Sequence, residues 1–241
     1  MAILDIRQIR DNIYLLTDLT MGFHGNSTLF FTDKGPVLVD VLRDRKQFEE
    51  IMDFIRQNGF EKPYAIIYTH WHADHTCGNR TVKDCRIIAH EAAKEHLQSW
   101  IDQHLERLKN NGLLERSTRP LLPNETFEDE MVLDLGNAVL HIVHCPGHTH
   151  DSAIVYDEIS GVLVAGDNIV NKEVDFYLPP VIPPDEIDAK YEELEKVYAY
   201  IEGLKPQVLI PGHGSLLPVD EMLEFNRLRY YKCINEGLKF V

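Results

Sequence analysis

The sequence predicts a mixed α/β chain of the α+β type, in which two β-sheets pack face to face and helices cover their outer faces. Short apolar strands occur in two groups of hairpins, one in each half of the chain. Segments with helical apolar spacing follow these groups, in an alternation too uneven for a doubly wound parallel sheet. With 241 residues and neither a repeat nor a low-complexity linker, residues 1–241 are expected to form a single domain.

In the first half of the chain, strands are predicted at residues 3–9, 13–17, 27–32 and 36–41. The tetrapeptide Thr32-Asp33-Lys34-Gly35 is a hairpin signal between the last two of them. Residues 45–57 carry apolar side chains at the spacing of one helical face, and Asn58-Gly59 ends this helix. Further on, the predicted elements are a buried strand at 63–69, a strand at 87–89 and a long helix at 91–110 that Asn111-Gly112 stops.

In the second half, the polar segment 112–130 contains two prolines and is expected to be a loop excursion. Four strands then form the second hairpin group, with predicted bounds 131–135, 138–144, 152–157 and 161–166. The remaining elements are a helix at 186–202, a strand at 207–210 and a closing helix at 219–235.

The composition disfavours several classes of partner. A net charge of −15 disfavours nucleic acid, because phosphate binding relies on clustered Lys and Arg. No apolar run approaches the roughly 20 residues of a membrane-spanning helix. The N-terminus lacks a signal-like apolar core, and the four cysteines contain no C-x-x-C pair. We therefore expect reduced thiols, a cytoplasmic location and a small-molecule substrate; the composition does not indicate the oligomeric state.

A dense group of metal-ligand residues follows the apolar run 65–68. Residues 69–76 read Thr-His-Trp-His-Ala-Asp-His-Thr, with three imidazoles and one carboxylate within six positions. Neutral imidazole nitrogens and carboxylate oxygens are the usual ligands of zinc and neighbouring divalent metals. In a tight turn after the strand, alternate residues point the same way. His70 and His72 are then placed to bind one ion, and Asp74 and His75 a second.

Three later points repeat one arrangement, in which a buried strand ends beside a residue able to bind metal. The strand at 139–143 leads to His148, the strand at 161–165 leads to Asp167, and the strand at 208–210 leads to His213. Each is weak alone, because loop histidines and turn aspartates are common. Strand ends along one edge of packed sheets bring such residues together, and neighbouring glycines let the backbone bend there.

The motifs T-H-W-H-A-D-H, P-G-H-T, A-G-D and P-G-H-G, in this order, resemble those of the metallo-β-lactamase superfamily of hydrolases, closest to its glyoxalase-II-like branch. The resemblance spans residues 13–216 and implies an αββα sandwich with a dinuclear metal centre at one sheet edge. By the same resemblance, one metal is held by His70, His72 and His148, the other by Asp74, His75 and His213, and Asp167 bridges them.

This resemblance implies two divalent ions, zinc first and iron or manganese next, and attack by a metal-bridging hydroxide on an ester, thioester or lactone. Two such ions with two aspartates and a hydroxide leave a net charge of about +1, which favours hydroxide near neutral pH. Asp74 is the candidate catalytic residue, because it is placed to orient the hydroxide or to receive its proton. Asp40, after the strand at 36–41, resembles the family's structural aspartate and is either a partner of a ligand histidine or a turn carboxylate.

Substrate choice is assigned to three loops, 22–26 with His24, 112–130, and 168–184 with Phe176 and Tyr177. The roles of His24, His150 and these two aromatic residues stay open, since His150 departs from the Gly-His-Thr-Pro-Gly pattern of many family members.

Other activities of the superfamily stay compatible with the sequence to different degrees. Only about 25 residues follow the His213 motif, which disfavours the glutathione-binding helical domain of glyoxalase II. A mononuclear iron sulfur dioxygenase and a phosphodiesterase are the alternatives, because their ligands form a subset of these or the same set. A nuclease is disfavoured, since neither a second domain nor a basic groove is visible.

Overall fold

The computed structural model describes residues 3–20, 24–82, 84–110, 120–171 and 187–236. Its first sheet has seven strands in the order β1 to β7, with bounds Leu4–Arg10, Ile13–Asp18, Asn26–Thr32, Gly35–Val39, Ala65–Ile67, Arg86–His90 and Glu125–Phe127. Strands β1 to β4 pair antiparallel, and β4 to β7 pair parallel. The predicted hairpin is confirmed, because Thr32 pairs with Gly35 across the turn.

The second sheet has five strands in the order β12-β11-β10-β9-β8. Their bounds are Glu130–Asp134 (β8), Val139–His144 (β9), Ala153–Asp157 (β10), Val162–Val164 (β11) and Val208–Ile210 (β12). Only β11 and β12 pair parallel, so this sheet is also mixed. The α-helices among the described residues are Arg45–Gln57 (α1), Ala73–Thr76 (α2), Glu91–Asn110 (α3), Ile187–Leu204 (α4) and Val219–Glu236 (α5).

Three apolar clusters define the layers of the fold. The central cluster joins the facing sides of the two sheets through residues such as Phe30, Val37 and Val155. A second cluster lies between the first sheet and the helices α1 and α3, and a third lies between the second sheet and α4 and α5. The layer order is therefore helix, sheet, sheet, helix, which confirms the predicted αββα sandwich of two mixed sheets.

Helix α1 shows how local sequence places these layers. Asp44 accepts a hydrogen bond from the backbone N–H of Lys46, and Gln47 bonds back to the backbone N–H of Asp44, so the helix begins with a capping box. Its buried face carries Phe48, Ile51 and Ile55, as the periodicity predicts.

The expectation of a loop throughout 112–130 is wrong for its last third, because β7 occupies Glu125–Phe127 and β8 begins at Glu130. This segment has little apolar periodicity, and polar contacts anchor it instead. Arg86 makes a bidentate ion pair with Glu125, with both N–O distances 2.9 Å. Asn124 donates to the carbonyl of Cys85 and accepts from the N–H of Ile87, which aligns the edge strand β7 beside β6.

Some predictions fall outside the described residues: the helix stop at Asn111-Gly112 and most of the loop 168–184, including Phe176 and Tyr177. Within the described part of the chain, no helix has the length and apolarity needed to cross a membrane. The cytoplasmic location stays a prediction.

Candidate metal centre

The seven predicted ligand residues lie together at one edge of the two sheets. His70 follows β5, His148 follows β9, Asp167 follows β11 and His213 follows β12. The parallel pairs β4–β5 and β11–β12 bring carboxyl ends of strands to this edge. The tertiary structure therefore joins residues that are separated by up to 143 positions in the sequence.

The histidine-rich segment contains a short helix where a tight turn is expected. Helix α2 begins after His72 and ends at Thr76. The hydroxyl of Thr76 donates to the carbonyl of His72 at 2.9 Å, which ties the two ends of this turn together. Asp74 and His75 thus project from a helical turn, and His70 and His72 from the extended chain before it.

The ligand atoms form two groups. The first consists of His70, His72, His148 and Asp167, and the second consists of Asp74, His75 and His213. In each group the candidate ligand atoms lie within 4.8 Å of one another. Asp167 also belongs geometrically to the second group, because its Oδ1 lies 3.2 Å from Nε2 of His75 and 3.4 Å from Nε2 of His213.

The spacing within the groups suits bound cations. Nδ1 of His72 lies 3.0 Å from Nε2 of His70 and 3.1 Å from Nε2 of His148. In the second group, Nε2 of His213 lies 3.4 Å from Nε2 of His75 and 3.4 Å from Oδ2 of Asp74. Tetrahedral ligands about 2.0 Å from a zinc ion are about 3.3 Å apart. The observed separations are close to this value.

Asp167 provides the test of whether a metal fits. Its side chain is fully buried, and neither carboxylate oxygen receives a hydrogen bond of acceptable geometry from a described residue. Oδ2 lies 3.4 Å from Nε2 of His148, and Oδ1 faces His75 and His213. In the metal-free protein the charge of Asp167 is balanced by His75 and His213, whose pKa values it raises. Divalent cations held by the two groups would displace those protons and satisfy both oxygens, so the residues fit a dinuclear centre.

Asp40 is a hydrogen-bond partner of His75, one of the candidate ligands. Its Oδ2 accepts from Nδ1 of His75 at 2.7 Å and from the hydroxyl of Thr69 at 2.8 Å. Since that hydroxyl proton goes to Asp40, Oγ1 of Thr69 accepts the N–H of Nδ1 of His70 at 3.1 Å. Both histidines therefore turn Nε2 toward the cluster. Asp40 holds this position with a left-handed backbone, at φ 60°.

The electrostatics of the two groups differ. Burial lowers the pKa of His70 and His72, and it lowers that of His148 to about 3. Burial opposes the charge on His213 as well, but the carboxylates of Asp167 and Asp74 outweigh it and raise the pKa of His213 to about 9. The first group thus presents neutral imidazoles, whereas the second holds protons that a metal must displace.

The pKa of His75 is raised, as is that of His213. Burial lowers its pKa, but the charges of Asp167 and Asp40 outweigh burial and raise it well above the ordinary value. Asp167 shows the complementary effect, since burial raises its pKa while His213 and His75 hold it far below the usual range.

His24 and His150, whose roles the sequence leaves open, are not members of the two ligand groups. Nδ1 of His24 lies 3.2 Å from the carbonyl of Asp18, and its own carbonyl accepts from Gly214. His150 is exposed, and its carbonyl accepts from Nε2 of His144 at 2.8 Å. Neither imidazole belongs to a metal-binding group of the described residues.

Sequence reasoning missed the residues that hold the ligand loops. Oδ1 of Asn168 accepts the backbone N–H of His148 at 2.7 Å, and its Nδ2 donates to the carbonyl of Cys145 at 2.8 Å. Asn26 makes analogous bonds to the loop of His213. The sequence analysis placed Asn26 and Asn168 only within the loops 22–26 and 168–184; the one signal for Asn168 is its position next to Asp167, and Asn26 belongs to no motif.

A layered αββα sandwich with paired His and Asp groups at one sheet edge defines the class of metal-dependent hydrolases. The profile of the "Metallo-beta-lactamase superfamily" matches residues 20–213. The chain belongs to this superfamily.

Relatives within the superfamily carry different names. The chain is 26% identical over 226 residues to the "Metallo-beta-lactamase type 2" of Bacillus cereus, covering 88% of this chain and 77% of that protein. It is 28% identical over 178 residues to the "Acyl-coenzyme A thioesterase MBLAC2" of Bos taurus, covering 69% of this chain and 62% of the relative, less than two thirds of its length. The solved metallo-beta-lactamase from Pontibacter korlensis has the same fold, with a TM-score of 0.73 at 17% identity over 95% of this chain and 99% of that one.

Proposed function

We propose that this chain is a dinuclear metal-dependent hydrolase that cleaves an ester, a thioester or a lactone, with a thioester as the first class to test. The observation that carries the proposal is the placement of Asp167. One of its oxygens faces the first group and the other faces the second. A single carboxylate shared in this way holds two cations close together, which is the arrangement that two-metal hydrolysis requires.

The proposed ligands are the seven residues of the two groups: His70, His72, His148 and Asp167 in the first, and Asp74, His75 and His213 with Asp167 in the second. Five imidazoles and two carboxylates favour zinc, with iron or manganese as alternatives. Divalent ions held there would lower the pKa of water to about 7 and polarise the carbonyl oxygen of the acyl group.

Asp74 is proposed as the catalytic residue that orients the attacking water. Its side chain is 28% exposed, whereas those of His75 and His213 are 1% exposed. Burial raises the pKa of Asp74, but the hydrogen bond from His213 and the charge of His75 outweigh burial and hold the pKa below the usual range. The carboxylate therefore stays ionised and accepts hydrogen bonds at working pH.

Residues 71–74 are the most exposed part of the histidine-rich segment. These residues are half-buried, while His70 before them and His75 after them are buried. The ring of Trp71 lies against His72, with centroids 4.6 Å apart, and against His96 on α3 at 5.8 Å. This indole offers an apolar surface beside the ligands, which suits the acyl part of an ester or thioester. The bovine relative named as an acyl-coenzyme A thioesterase supports the same class.

The test starts with the metal content of protein purified from cells grown without added metal. We expect two equivalents of zinc per chain. Hydrolysis is then measured with an acyl-coenzyme A, an acyl homoserine lactone, a nitrophenyl ester, a phosphodiester and a β-lactam. Turnover of one of the first three, at least tenfold above that of the last two, supports the proposal.

Asp167→Ala and the exposed control Asp53→Ala are compared in the same assays. Asp167→Ala is expected to lose metal and turnover, because both groups share this carboxylate, and Asp53→Ala is expected to keep both. A single iron with oxygen uptake on a persulfide would instead assign the chain to the sulfur dioxygenases. Phosphodiester or β-lactam turnover above the acyl substrates would also overturn the proposal.

A further inference from the structure

The loop that carries His213 consists of Pro211, Gly212, His213 and Gly214, so His213 is its only long side chain. Glycines on both sides leave the backbone of this loop without side-chain packing of its own. The direction of the imidazole therefore depends on what holds the backbone. A metal-binding side chain must be held within about 0.5 Å of its working position by the residues around it.

One residue, Asn26, makes three of the hydrogen bonds that hold this loop. Its backbone N–H donates to the carbonyl of Gly212 at 2.8 Å. Its side-chain Nδ2 donates to the carbonyl of Pro211 at 2.9 Å and to that of Gly214 at 2.8 Å. The amide thus bridges the two ends of the tetrapeptide and fixes the span on which His213 sits.

The orientation of this amide is itself fixed. Oδ1 of Asn26 accepts the hydroxyl proton of Thr17 at 2.8 Å. A flipped amide would place its oxygen against two carbonyl oxygens and its N–H₂ group against the hydroxyl. Asn26 is buried, with 4% exposure, so water does not replace these bonds freely.

The contacts of Asn26 reach one of the two ligand groups. Among the described residues, its side chain and its backbone N–H bond to Thr17 and to the loop 211–214, whereas Asn168 holds the loop of His148. His70 and His75 take their orientation from Thr69 and Asp40.

We infer that Asn26 is a positioning residue for His213 and so controls the affinity of the second metal group separately from the first. The inference rests on the proposed dinuclear function. A carboxylate at this position loses both side-chain donors and faces two carbonyl oxygens, so Asn26→Asp is the sharpest variant. Outer residues that orient metal ligands typically change affinity by about 10- to 100-fold.

The experiment uses zinc alone, titrated into the metal-stripped full chain in competition with a chromogenic chelator. His213→Ala, titrated alongside, identifies the binding step that belongs to the second group. For Asn26→Asp we expect this step to weaken at least tenfold, while the other step changes by less than about threefold.

Asn137→Asp is the control. The side chain of Asn137 is exposed; like that of Asn26 it donates to a backbone carbonyl, that of Phe31, and it accepts the backbone N–H of Asp33. It acts at the far end of β3, about 20 Å from Asn26 by the length of the strand. We expect both of its zinc affinities to match those of the wild type.

Thermal melting of the metal-stripped variants reports folding. If Asn26→Asp does not fold, Thr17→Val decides, because it removes only the hydroxyl that orients the amide and is expected to weaken the same step less. Equal weakening of both steps, or of neither, overturns the inference while the proposed function stands. A wild type that never takes up two equivalents overturns both.

Discussion

Gly212 allows a direct test of whether the position of Asp167 controls the metal centre. A Cβ atom added at Gly212 would lie 2.0 Å from Oδ1 of Asp167 and 2.9 Å from the backbone N of Asp167. Ordinary contacts between heavy atoms are about 3.5 Å or longer, so the carboxylate must move by more than about 1 Å. The Cβ would also meet the backbone carbonyl carbon of Gly166 at 2.8 Å, so rotation of the Asp167 side chain alone does not relieve the clash.

A displacement of about 1 Å in a catalytic group typically costs about 100-fold in rate. We therefore expect Gly212→Ala to lower kcat/KM at least 100-fold and to reduce bound zinc below two equivalents. Metal is counted by elemental analysis, and kcat/KM is measured with the best acyl substrate.

Gly203→Ala is the control, since a Cβ at Gly203 meets no atom within 4 Å. Gly203 lies in α4, where alanine is favoured over glycine by about 1 kcal/mol, so this variant should keep its zinc and melt at the same or a higher temperature. Full zinc occupancy and wild-type turnover in Gly212→Ala would refute the proposed role of Asp167.

Three further predictions concern the metal and its supports. Asp40→Asn replaces the carboxylate that accepts from His75 with a weaker acceptor, and Asn tolerates the backbone at φ 60°. Zinc affinity should therefore fall about 10- to 100-fold with little change in secondary structure. Unchanged affinity in a chelator competition would contradict this. Zinc must displace the proton that His213 holds with a pKa of about 9. The affinity of the metal-stripped protein for zinc should therefore rise from pH 7 to pH 9, with net proton release on binding. A zinc affinity that does not change over this pH range would exclude the linkage. Removal of metal by a strong chelator should abolish turnover, and two equivalents of zinc should restore it; turnover that survives complete removal of metal would rule out the proposed mechanism.

Three elements show how much of the architecture can be predicted from the sequence. The hairpin at residues 32–35 and helix α1 follow from local chemistry, namely a glycine at φ +118° and a capping box before an apolar face. Strand β7 does not, because two of its three residues are polar and its position depends on the ion pair of Glu125 with Arg86, 39 residues away.

By itself the sequence determined the layered fold class and the chemical types gathered at the strand ends, since apolar periodicity and dense histidine are local features. The distances within the two groups, the orientation of His75 by Asp40, and the hold of Asn26 on the His213 loop were decided only by the tertiary structure. The physical reason is that these contacts join segments up to 188 residues apart. Strand pairing and sheet packing bring such segments together, and no local sequence pattern specifies how a side chain is oriented at the site.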